Sequence, residues 1–321
     1  MSNWNLPPKG GYMEAPKKMY YQTMTKLDVE ERLKNDDVII IPVGSTENHG
    51  AAGPIGEDTF MVTRIAEMVA EKTGCTVAEP FWYGSHPFHH IGQPCTIPLP
   101  DSVFIDMLRA VITGFWNTGF RKQIFISLHG QEYSLPVALQ EWGKKYQVPA
   151  MLYFVDIPRV MGQTLMDKAH GGPYDRPFQH ACEAEQSLSL ALFPELCQQD
   201  KAENTETKGF LPAGHVDRGG DIYGYPIPGH CQVGNCGIEC VTFPEGVLGH
   251  AKDADPKKAV ASIEKTCDYL VKLHDDILKA FPAGQLPPAE LMSQRDPEEI
   301  EKLLKGPLKG GKHIYTLGWP T

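Results

Sequence analysis

Short apolar runs that alternate with helical patterns constrain the fold of this 321-residue chain more than any other sequence feature. Val38–Ile41 is continuously apolar, and Gln123–Leu128 and Ala150–Val155 are nearly so. Runs without alternation are typical of strands buried on both faces. Amphipathic patterns follow two of them, from Asp58 to about Lys72 and from Tyr133 to Tyr146. This alternation predicts an α/β fold, a mainly parallel sheet with helices on both faces.

The remaining pattern is compatible with the same architecture. It predicts a further strand at Cys75–Ala78 and helices at Lys26–Lys34, Asp101–Thr118, His180–Leu192 and Pro256–Phe281. We find no internal repeat, so the simplest division is one domain over residues 1–321. We expect an N-terminal arm over about residues 1–25 and a C-terminal extension over about residues 282–321, because both segments are polar and rich in proline.

Composition excludes several functional classes. A hydrophobic fraction of 41% describes an ordinary globular protein. A net charge of -10 argues against binding to nucleic acids or anionic membranes, which requires a basic surface. No apolar stretch reaches the roughly 20 residues that a transmembrane helix needs. The first residues contain no apolar segment of the kind that a secretory signal requires, so we expect a cytoplasmic location.

Polar side chains follow the first predicted strand at its carboxyl end. Val38–Ile41 ends at Pro42, Glu47 and His49 follow in the next loop, and Asp58 opens the next helix after a turn rich in glycine and proline. In open α/β sheets, ligands bind at the carboxyl ends of the strands. The alternative is that Glu47 and His49 are solvated loop residues and that Asp58 is an ordinary helix N-cap.

A similar group follows the second long strand, and a third lies further along the chain. His129, Gln131 and Glu132 come after Gln123–Leu128, and Glu185 lies in the segment that begins at His180. Imidazole and carboxylate ligands suit Zn²⁺, Mn²⁺ and similar ions, and a shared carboxylate bridges two ions in hydrolase sites. The spacing alone leaves open that these are scattered surface carboxylates and core histidines.

Two further clusters invite an interpretation. An irregular, aromatic-rich loop contains His86, His89 and His90, which either cover a site or form only local hydrogen bonds. Three cysteines lie together at Cys231, Cys236 and Cys240, but their spacing lacks the C-x2-C pair of structural zinc sites. Buried free thiols are the favoured interpretation there.

Three motifs resemble those of the creatininase family. They are GSTENHG with GED shortly after it, FISLHGQE, and HACEAEQS. The corresponding family forms are roughly G-S-x-E-Q-H-G followed by T-D, N-G-H-G-G-N, and H-A-G-x-x-E-T-S. The likeness extends over about residues 36–250, and all three motifs occur in the family's order.

The resemblance implies a three-layer α/β/α sandwich, a centre of two divalent metal ions, and a homo-oligomer, with a hexamer favoured. Zn²⁺ is the favoured ion and Mn²⁺ an alternative. Glu47 and His129 match ligands of one ion, His49 and Glu185 match ligands of the other, and Asp58 matches the bridging carboxylate. His180 matches a histidine beside the substrate, with a role in proton transfer or in binding the substrate carbonyl.

Departures from the pattern bear on the substrate. Gln131 stands where creatininase has a metal-binding glutamate, Glu132 lies one place later, and the tryptophan that stacks on creatinine is absent. The opening Trp-Asn-Leu-Pro-Pro and the His-Gly-Gln-Glu segment instead resemble the branch that hydrolyses 3-dehydro-scyllo-inosose. The implied function is ring opening of an oxidised inositol by C–C hydrolysis, through attack of a metal hydroxide on a carbonyl, giving a keto-sugar acid.

Residue roles follow from that interpretation. The predicted catalytic residues are His180, Glu132 and Gln131, with His180 or Glu132 as the proton donor. Arg176, His86, His89 and His90 are predicted to donate hydrogen bonds to the hydroxyls of a small cyclic substrate.

Two alternatives remain open from the sequence. One is cleavage of a C–N bond in a creatinine-like ring, a lactam or a peptide end. The other is a metal-binding scaffold that has lost catalysis, although the complete set of ligand residues argues against it.

Overall fold

Four parallel strands form the centre of the protein in the order β2-β1-β3-β4. The structure is a computed structural model that describes residues 19–87, 90, 92–206 and 245–318. The strands are β1 Val38–Pro42, β2 Thr76–Val77, β3 Lys122–Ser127 and β4 Met151–Asp156. The helices are α1 Lys26–Arg32, α2 Glu57–Thr73, α3 Asp101–Thr118, α4 Ser134–Tyr146, α5 Ile157–Met161, α6 Glu183–Leu192, α7 Pro256–Ala280 and α8 Pro297–Lys305.

Alternate residues of β1 enter two separate cores, one on each face of the sheet. Val38 and Ile40 pack into a core that contains side chains of α2, α6 and α7. Ile39 and Ile41 pack into the other, with side chains of α3, α4 and α8. Successive side chains of a strand point to opposite faces, so a strand apolar at every position needs a helical layer on each side. The predicted three-layer α/β/α architecture is therefore confirmed.

The pairing of β1 with β3 sets the position of the functional loops. Pro42 is the register partner of Ile126, so the two strands end side by side at one edge of the sheet. The loop after β1 and the loop after β3 consequently leave the sheet next to each other. This is the edge at which α/β sheets bind ligands.

Both ends of the described chain contribute to the cores. Tyr20 pairs with Val77 beside β2 and is buried in the first core, although it falls within the predicted arm. Ile300, Leu303 and Ile314 of the predicted extension are buried in the second core. The extension therefore packs on the α3–α4 face of the sheet and shields the apolar surface of that face from water. The division into one domain with an arm and an extension stays a prediction.

The helix predicted from His180 begins three residues later, at Glu183. Ala181 has a φ of 49°, and Cys182 is extended, so neither residue can belong to a right-handed helix. The three residues before α6 instead form a turn that separates His180 from the helix. Among the described helices, none is both long enough and apolar enough to span a membrane.

Candidate metal centre

Three histidines at the carboxyl edge of the sheet are each held by a main-chain carbonyl. His49 Nδ1 lies 3.2 Å from the carbonyl oxygen of Glu47, and His129 Nε2 lies 3.0 Å from that of Ser85. His180 Nε2 lies 2.7 Å from that of Asn48. A carbonyl oxygen only accepts, so each of these nitrogens carries the hydrogen and the other nitrogen of each neutral ring keeps a lone pair. Metal-binding histidines are oriented in this way.

Asp58 lies between two of these rings and presents one oxygen to each. Its Oδ2 is 3.0 Å from His129 Nδ1, and its Oδ1 is 3.7 Å from His49 Nε2. Ser45 Oγ donates a hydrogen bond of 2.6 Å to Oδ2 and fixes the carboxylate. The N-cap of α2 is Gly56, so the alternative that Asp58 is an ordinary N-cap is wrong. The geometry is that of a carboxylate shared between two half-sites.

Glu47 and three histidines make up the first half-site. Glu47 Oε2 lies 2.8 Å from His129 Nδ1, and Glu47 Oε1 lies 2.6 Å from His90 Nδ1. The ring of His86 packs 4.5 Å from that of His129, centroid to centroid. Ligand atoms of all four residues lie within 4.8 Å of one another. The structure thus brings His86 and His90, predicted to bind substrate, into contact with predicted metal ligands.

His180, in the turn before α6, and Glu185, in the first turn of α6, face the same centre. The backbone N–H of Ala181 donates to Glu185 Oε2, and that oxygen is 4.0 Å from His180 Nδ1. The left-handed backbone of Ala181 directs this N–H onto the carboxylate, a use of strain that is common at functional sites. Leu248 N donates a 2.8 Å hydrogen bond to the carbonyl of His180 and holds the turn from the other side.

Glu57 is a fourth carboxylate of the centre, and the sequence reasoning missed it. It is fully buried in the first turn of α2, and its ligand atoms lie within 4.8 Å of those of His49 and Glu185. The available signal was GED where the family form has T-D, a glutamate in place of threonine beside the shared aspartate. Gln131 stands where creatininase has a metal-binding glutamate, and Glu57 supplies the centre with a carboxylate from a different position.

Two opposing effects set the pKa values within the cluster. Burial disfavours the charged form of each group, and a neighbour of opposite charge favours it. Burial favours the neutral form of Asp58, but His129 and His49 lower its pKa well below the usual range. Burial likewise opposes charge on His129, but Glu47 and Asp58 raise its pKa to about 10. The carboxylates thus favour a cation between them, and a divalent ion competes with the imidazole proton for that place.

The carboxylates of the second half-site behave in the opposite way. Burial raises the pKa of Glu185 to about 8 and that of Glu57 to about 7, and His49 opposes both shifts. Ser189 lowers the pKa of Glu57, although its hydroxyl does not reach hydrogen-bond geometry with either oxygen. In this half of the cluster, the carboxylates thus outnumber the positively charged groups that could stabilise their ionised forms.

Gln131 is fully buried and bonded to the ends of two strands. Its amide Nε2 donates to the carbonyl of Gly44 at 3.1 Å and to Ser127 Oγ at 3.2 Å. These bonds hold the loop after β1 against the end of β3. The placement favours a positioning role for Gln131 over the predicted catalytic one.

The other predicted residues lie outside this contact network or outside the described residues. Glu132 is half-buried before α4, and its charge acts on Asp156 and Tyr133. Arg176 is exposed and forms no hydrogen bond or ion pair with the residues that the structure describes. His89 and the cysteine cluster at Cys231, Cys236 and Cys240 lie outside the described residues.

The donor set fits divalent metal ions. His49 Nε2 and both oxygens of Glu57 are buried, with no hydrogen-bond partner in the described part of the chain. Unpaired lone pairs are costly to bury, and several that converge on one point are typical of a cation site. Nitrogen and carboxylate donors in this combination suit Zn²⁺ or Mn²⁺.

The chain matches known proteins in sequence over most of its length. Residues 22–274 match the model of the family named creatininase, described as creatinine amidohydrolase. The chain is 54% identical over 307 residues to the 3-dehydro-scyllo-inosose hydrolase of Thermotoga maritima, covering 95% of this chain and 99% of that protein. It is 25% identical over 218 residues to the creatinine amidohydrolase of Pseudomonas putida, covering 61% and 80% respectively.

Solved structures share the fold. A creatininase with Mn superposes with a TM-score of 0.63 at 20% identity, covering 85% of this chain and all of that one. A mutant creatininase of the Zn-Zn type gives a TM-score of 0.62 at the same identity and coverage. These likenesses establish the architecture, and the sequence matches establish the relationship.

Proposed function

The chain belongs to the creatininase family, and from this premise we propose that it is a divalent-metal-dependent C–C hydrolase that opens the ring of 3-dehydro-scyllo-inosose or a close relative. The product is a keto-sugar acid. The observation that carries the proposal is the 54% identity to the Thermotoga enzyme over 95% of this chain. The matched region spans the segments that carry the centre as well as those that form the cores.

We propose that the two half-sites each hold one ion. Glu47 and His129 would hold the first, His49 and Glu185 the second, and Asp58 would serve both. Bound divalent ions polarise a substrate carbonyl and lower the pKa of water to near neutrality. Zn²⁺ is the favoured ion and Mn²⁺ the alternative, in line with the names of the related structures.

Two carbonyl groups of the substrate make the C–C bond between them reactive toward water. Water adds its oxygen to one ring carbonyl carbon, and the bond from that carbon to its ring neighbour breaks. The electron pair goes to the neighbour, where a second carbonyl delocalises it as an enolate. One proton on that carbon completes the reaction, so water is consumed and a carboxylic acid is released.

His180 is the group best placed to move this proton. Its Nε2 hydrogen is engaged by Asn48 O, so Nδ1 is the nitrogen that gains or loses a proton. Its side chain is 12% exposed, whereas those of Glu47 and Asp58 are 1% and 2% exposed, so His180 borders the space open to a substrate. A positioned general acid or base of this kind contributes about 10²–10⁴-fold in rate.

We propose that Arg176, His86 and His90 bind the ring hydroxyls. Arg176 is exposed and lies on the loop that leads into His180. His86 and His90 line the first half-site and either donate to the substrate or support Glu47 and His129. As in the prediction from the sequence, we propose that the chain binds a small cyclic substrate and no nucleic acid. We also propose that it forms a homo-oligomer and is located in the cytoplasm.

A pH-stat assay on the metal-loaded protein tests the function. We expect acid release from the inosose at enzyme-like rates and little or none from creatinine. The 25% identity to the Pseudomonas enzyme makes C–N cleavage the second candidate. Turnover of creatinine with none of the inosose would return the chain to that reaction, and turnover of neither with ions bound would leave a non-catalytic metal protein.

A further inference from the structure

Glu57 is a fully buried carboxylate that the proposed two-ion centre does not use. Neither of its oxygens has a hydrogen-bond partner among the described residues. Burying an uncompensated carboxylate is expensive, so such a group is normally paired or bound to a cation. The chain follows this rule elsewhere: buried Glu183 pairs with Lys258 and accepts from the backbone N–H of Asp175, and buried Asp37 pairs with Lys122.

Among the described residues, the immediate surroundings of Glu57 contain potential metal ligands, and no lysine or arginine pairs with it. Its donor atoms lie within 4.8 Å of those of His49 and Glu185. His49 Nε2, the lone-pair nitrogen of that ring, is likewise unpartnered in the described part of the chain. Three donor groups that converge on one point form a place for a cation.

A carboxylate in the first turn of α2 also interacts favourably with the helix dipole, which is the alternative explanation. That interaction does not require burial, because an exposed Asp101 occupies the first turn of α3. The local packing also makes room for the carboxylate. An ideal Cβ built on Gly53 would overlap Glu57 Oε2 and would lie 2.9 Å from His49 Cβ.

We propose that Glu57 is a direct ligand of the second ion and completes a donor set with His49 and Glu185. This inference rests on the metal centre of the proposed function. With Glu57 ionised, the four carboxylates Glu47, Asp58, Glu57 and Glu185 balance the charge of two divalent ions. A buried centre without net charge avoids the desolvation cost that an uncompensated ion would carry.

Metal titration of Glu57→Gln tests the proposal without reference to activity. Zn²⁺ and Mn²⁺ are titrated separately against a competing chelator, and bound metal is counted by mass spectrometry after dialysis. Wild type is expected to bind two ions per chain. The variant is expected to keep one affinity and to show a Kd more than about 100-fold higher for the other, because loss of an outer-shell partner alone costs about 10–100-fold. Asp37→Asn, which neutralises a buried carboxylate at the far end of the sheet, is expected to leave both Kd values unchanged.

Gly53→Ala provides a second test that keeps the carboxylate but displaces it. The φ of Gly53 is not in the left-handed region, so alanine adds only its methyl group. We expect a weakened second ion here as well. The matched control is Gly143→Ala, because nothing lies within 4 Å of a Cβ at Gly143. Should Glu57→Gln fail to fold, Glu57→Asp takes its place; it retracts the carboxylate by one methylene and is expected to weaken the same ion, whereas Gly53→Ala also presses on His49.

The outcomes separate this proposal from the function on which it rests. Two ions bound by wild type, with one weakened in both variants, supports the role of Glu57 even if no inosose is opened. Equal Kd values in wild type and the folded variants overturn it. Absence of metal from wild type overturns the metal centre and Glu57 together.

Discussion

At the scale of single residues, main-chain carbonyl groups orient the histidines of the centre. The carbonyl oxygens of Glu47, Ser85 and Asn48 each accept a hydrogen bond from one histidine ring. Each ring is thereby fixed in one orientation, with its second nitrogen directed at carboxylates or at the substrate space. Such partners are rigid because they belong to the same loops that carry the ligands.

Asp58→Asn is expected to abolish activity and to release at least one ion. The reason is that Asp58 places one oxygen beside each half-site, and an amide cannot supply negative charge to either. Metal content by mass spectrometry and turnover by pH-stat measure the effect. Asp101→Asn, at an exposed first-turn position of α3, is the control for helix-dipole effects alone. Full metal content and normal turnover in Asp58→Asn would remove it from the centre.

His180→Asn is expected to lower kcat by about 10²–10⁴-fold while the protein retains both ions. The variant keeps a donor toward Asn48 O but loses the titratable Nδ1. Metal counting and steady-state kinetics together distinguish this from loss of a ligand. A variant that loses metal in proportion to activity would instead place His180 among the ligands. His170→Asn, a surface histidine paired with Asp167, serves as control.

At the scale of elements, the two ends of β3 carry different tasks. Its carboxyl end leads into His129, whereas its first residue, Lys122, is fully buried at the opposite edge of the sheet. Lys122 Nζ donates to Asp37 Oδ1 at 2.7 Å and to the carbonyl of Phe281 at 2.6 Å. A buried ion pair therefore joins the sheet to the end of α7, far along the chain from the metal ligands.

Lys122→Met is expected to cost about 3–5 kcal/mol in the free energy of unfolding, because Asp37 is left buried without its cation. The double variant Lys122→Met with Asp37→Asn is expected to cost less, since no charge remains. Urea denaturation of Lys122→Met, Asp37→Asn and the double variant measures the coupling energy between the two side chains. The affinity for metal ions is expected to stay unchanged in all three variants. Additive single effects would show that the pair contributes nothing beyond its separate side chains.

A second inter-element contact makes stability depend on pH. His274 of α7 places Nε2 3.0 Å from Asp36 Oδ2 and Nδ1 2.9 Å from Asp275 Oδ1. Burial opposes protonation, but the hydrogen bond to Asp36 and the charge of both carboxylates raise the pKa of His274 above its usual value.

A histidine whose pKa is higher in the folded state stabilises the protein fully below its unfolded pKa, about 6.5, and loses that contribution as the pH rises through the folded pKa. The unfolding free energy of wild type is therefore expected to fall by about 1 kcal/mol relative to His274→Asn as the pH rises from 6 into the alkaline range. Chemical denaturation at several pH values measures it. Parallel pH profiles for the two proteins would contradict the prediction.

At the scale of the whole molecule, apolar side chains remain exposed near the centre. Trp82, Tyr83 and Ile97 are 44%, 48% and 48% exposed. They lie close together, because Thr46 bonds to the carbonyl of Trp82 and accepts from the N–H of Ile97. Exposed apolar groups that cluster beside a site are typical of an interface or of a surface that contacts substrate.

The protein is expected to be a homo-oligomer, with a hexamer favoured. Family resemblance motivates the number, and the exposed group around Trp82 offers a surface for association. Light scattering at micromolar concentration measures the mass. A stable species at the chain mass of 35.6 kDa would contradict the prediction. If the group around Trp82 forms the interface, Trp82→Ala is expected to shift the population toward smaller species.

Much of this architecture follows from local patterns in the chain. The unbroken apolar run of β1 requires two helical layers, and the 3.6-residue periodicity locates α2, α3 and α4 to within a residue or two. The three motifs and their family resemblance predicted Glu47, His49, Asp58, His129 and Glu185 as a group, and the structure brings these residues together at one edge of the sheet.

Only the tertiary structure decided which of the remaining polar residues join the centre. Glu57 lies one position before Asp58, and its burial against His49 and Glu185 depends on how α2 packs beside the turn before α6. Gln131 follows His129 closely, yet it turns away to bond with Gly44. Neighbours in sequence can point to opposite sides of a loop, because backbone dihedrals and packing set their directions. Sequence identifies the chemistry available to this chain, and packing selects the side chains that take part.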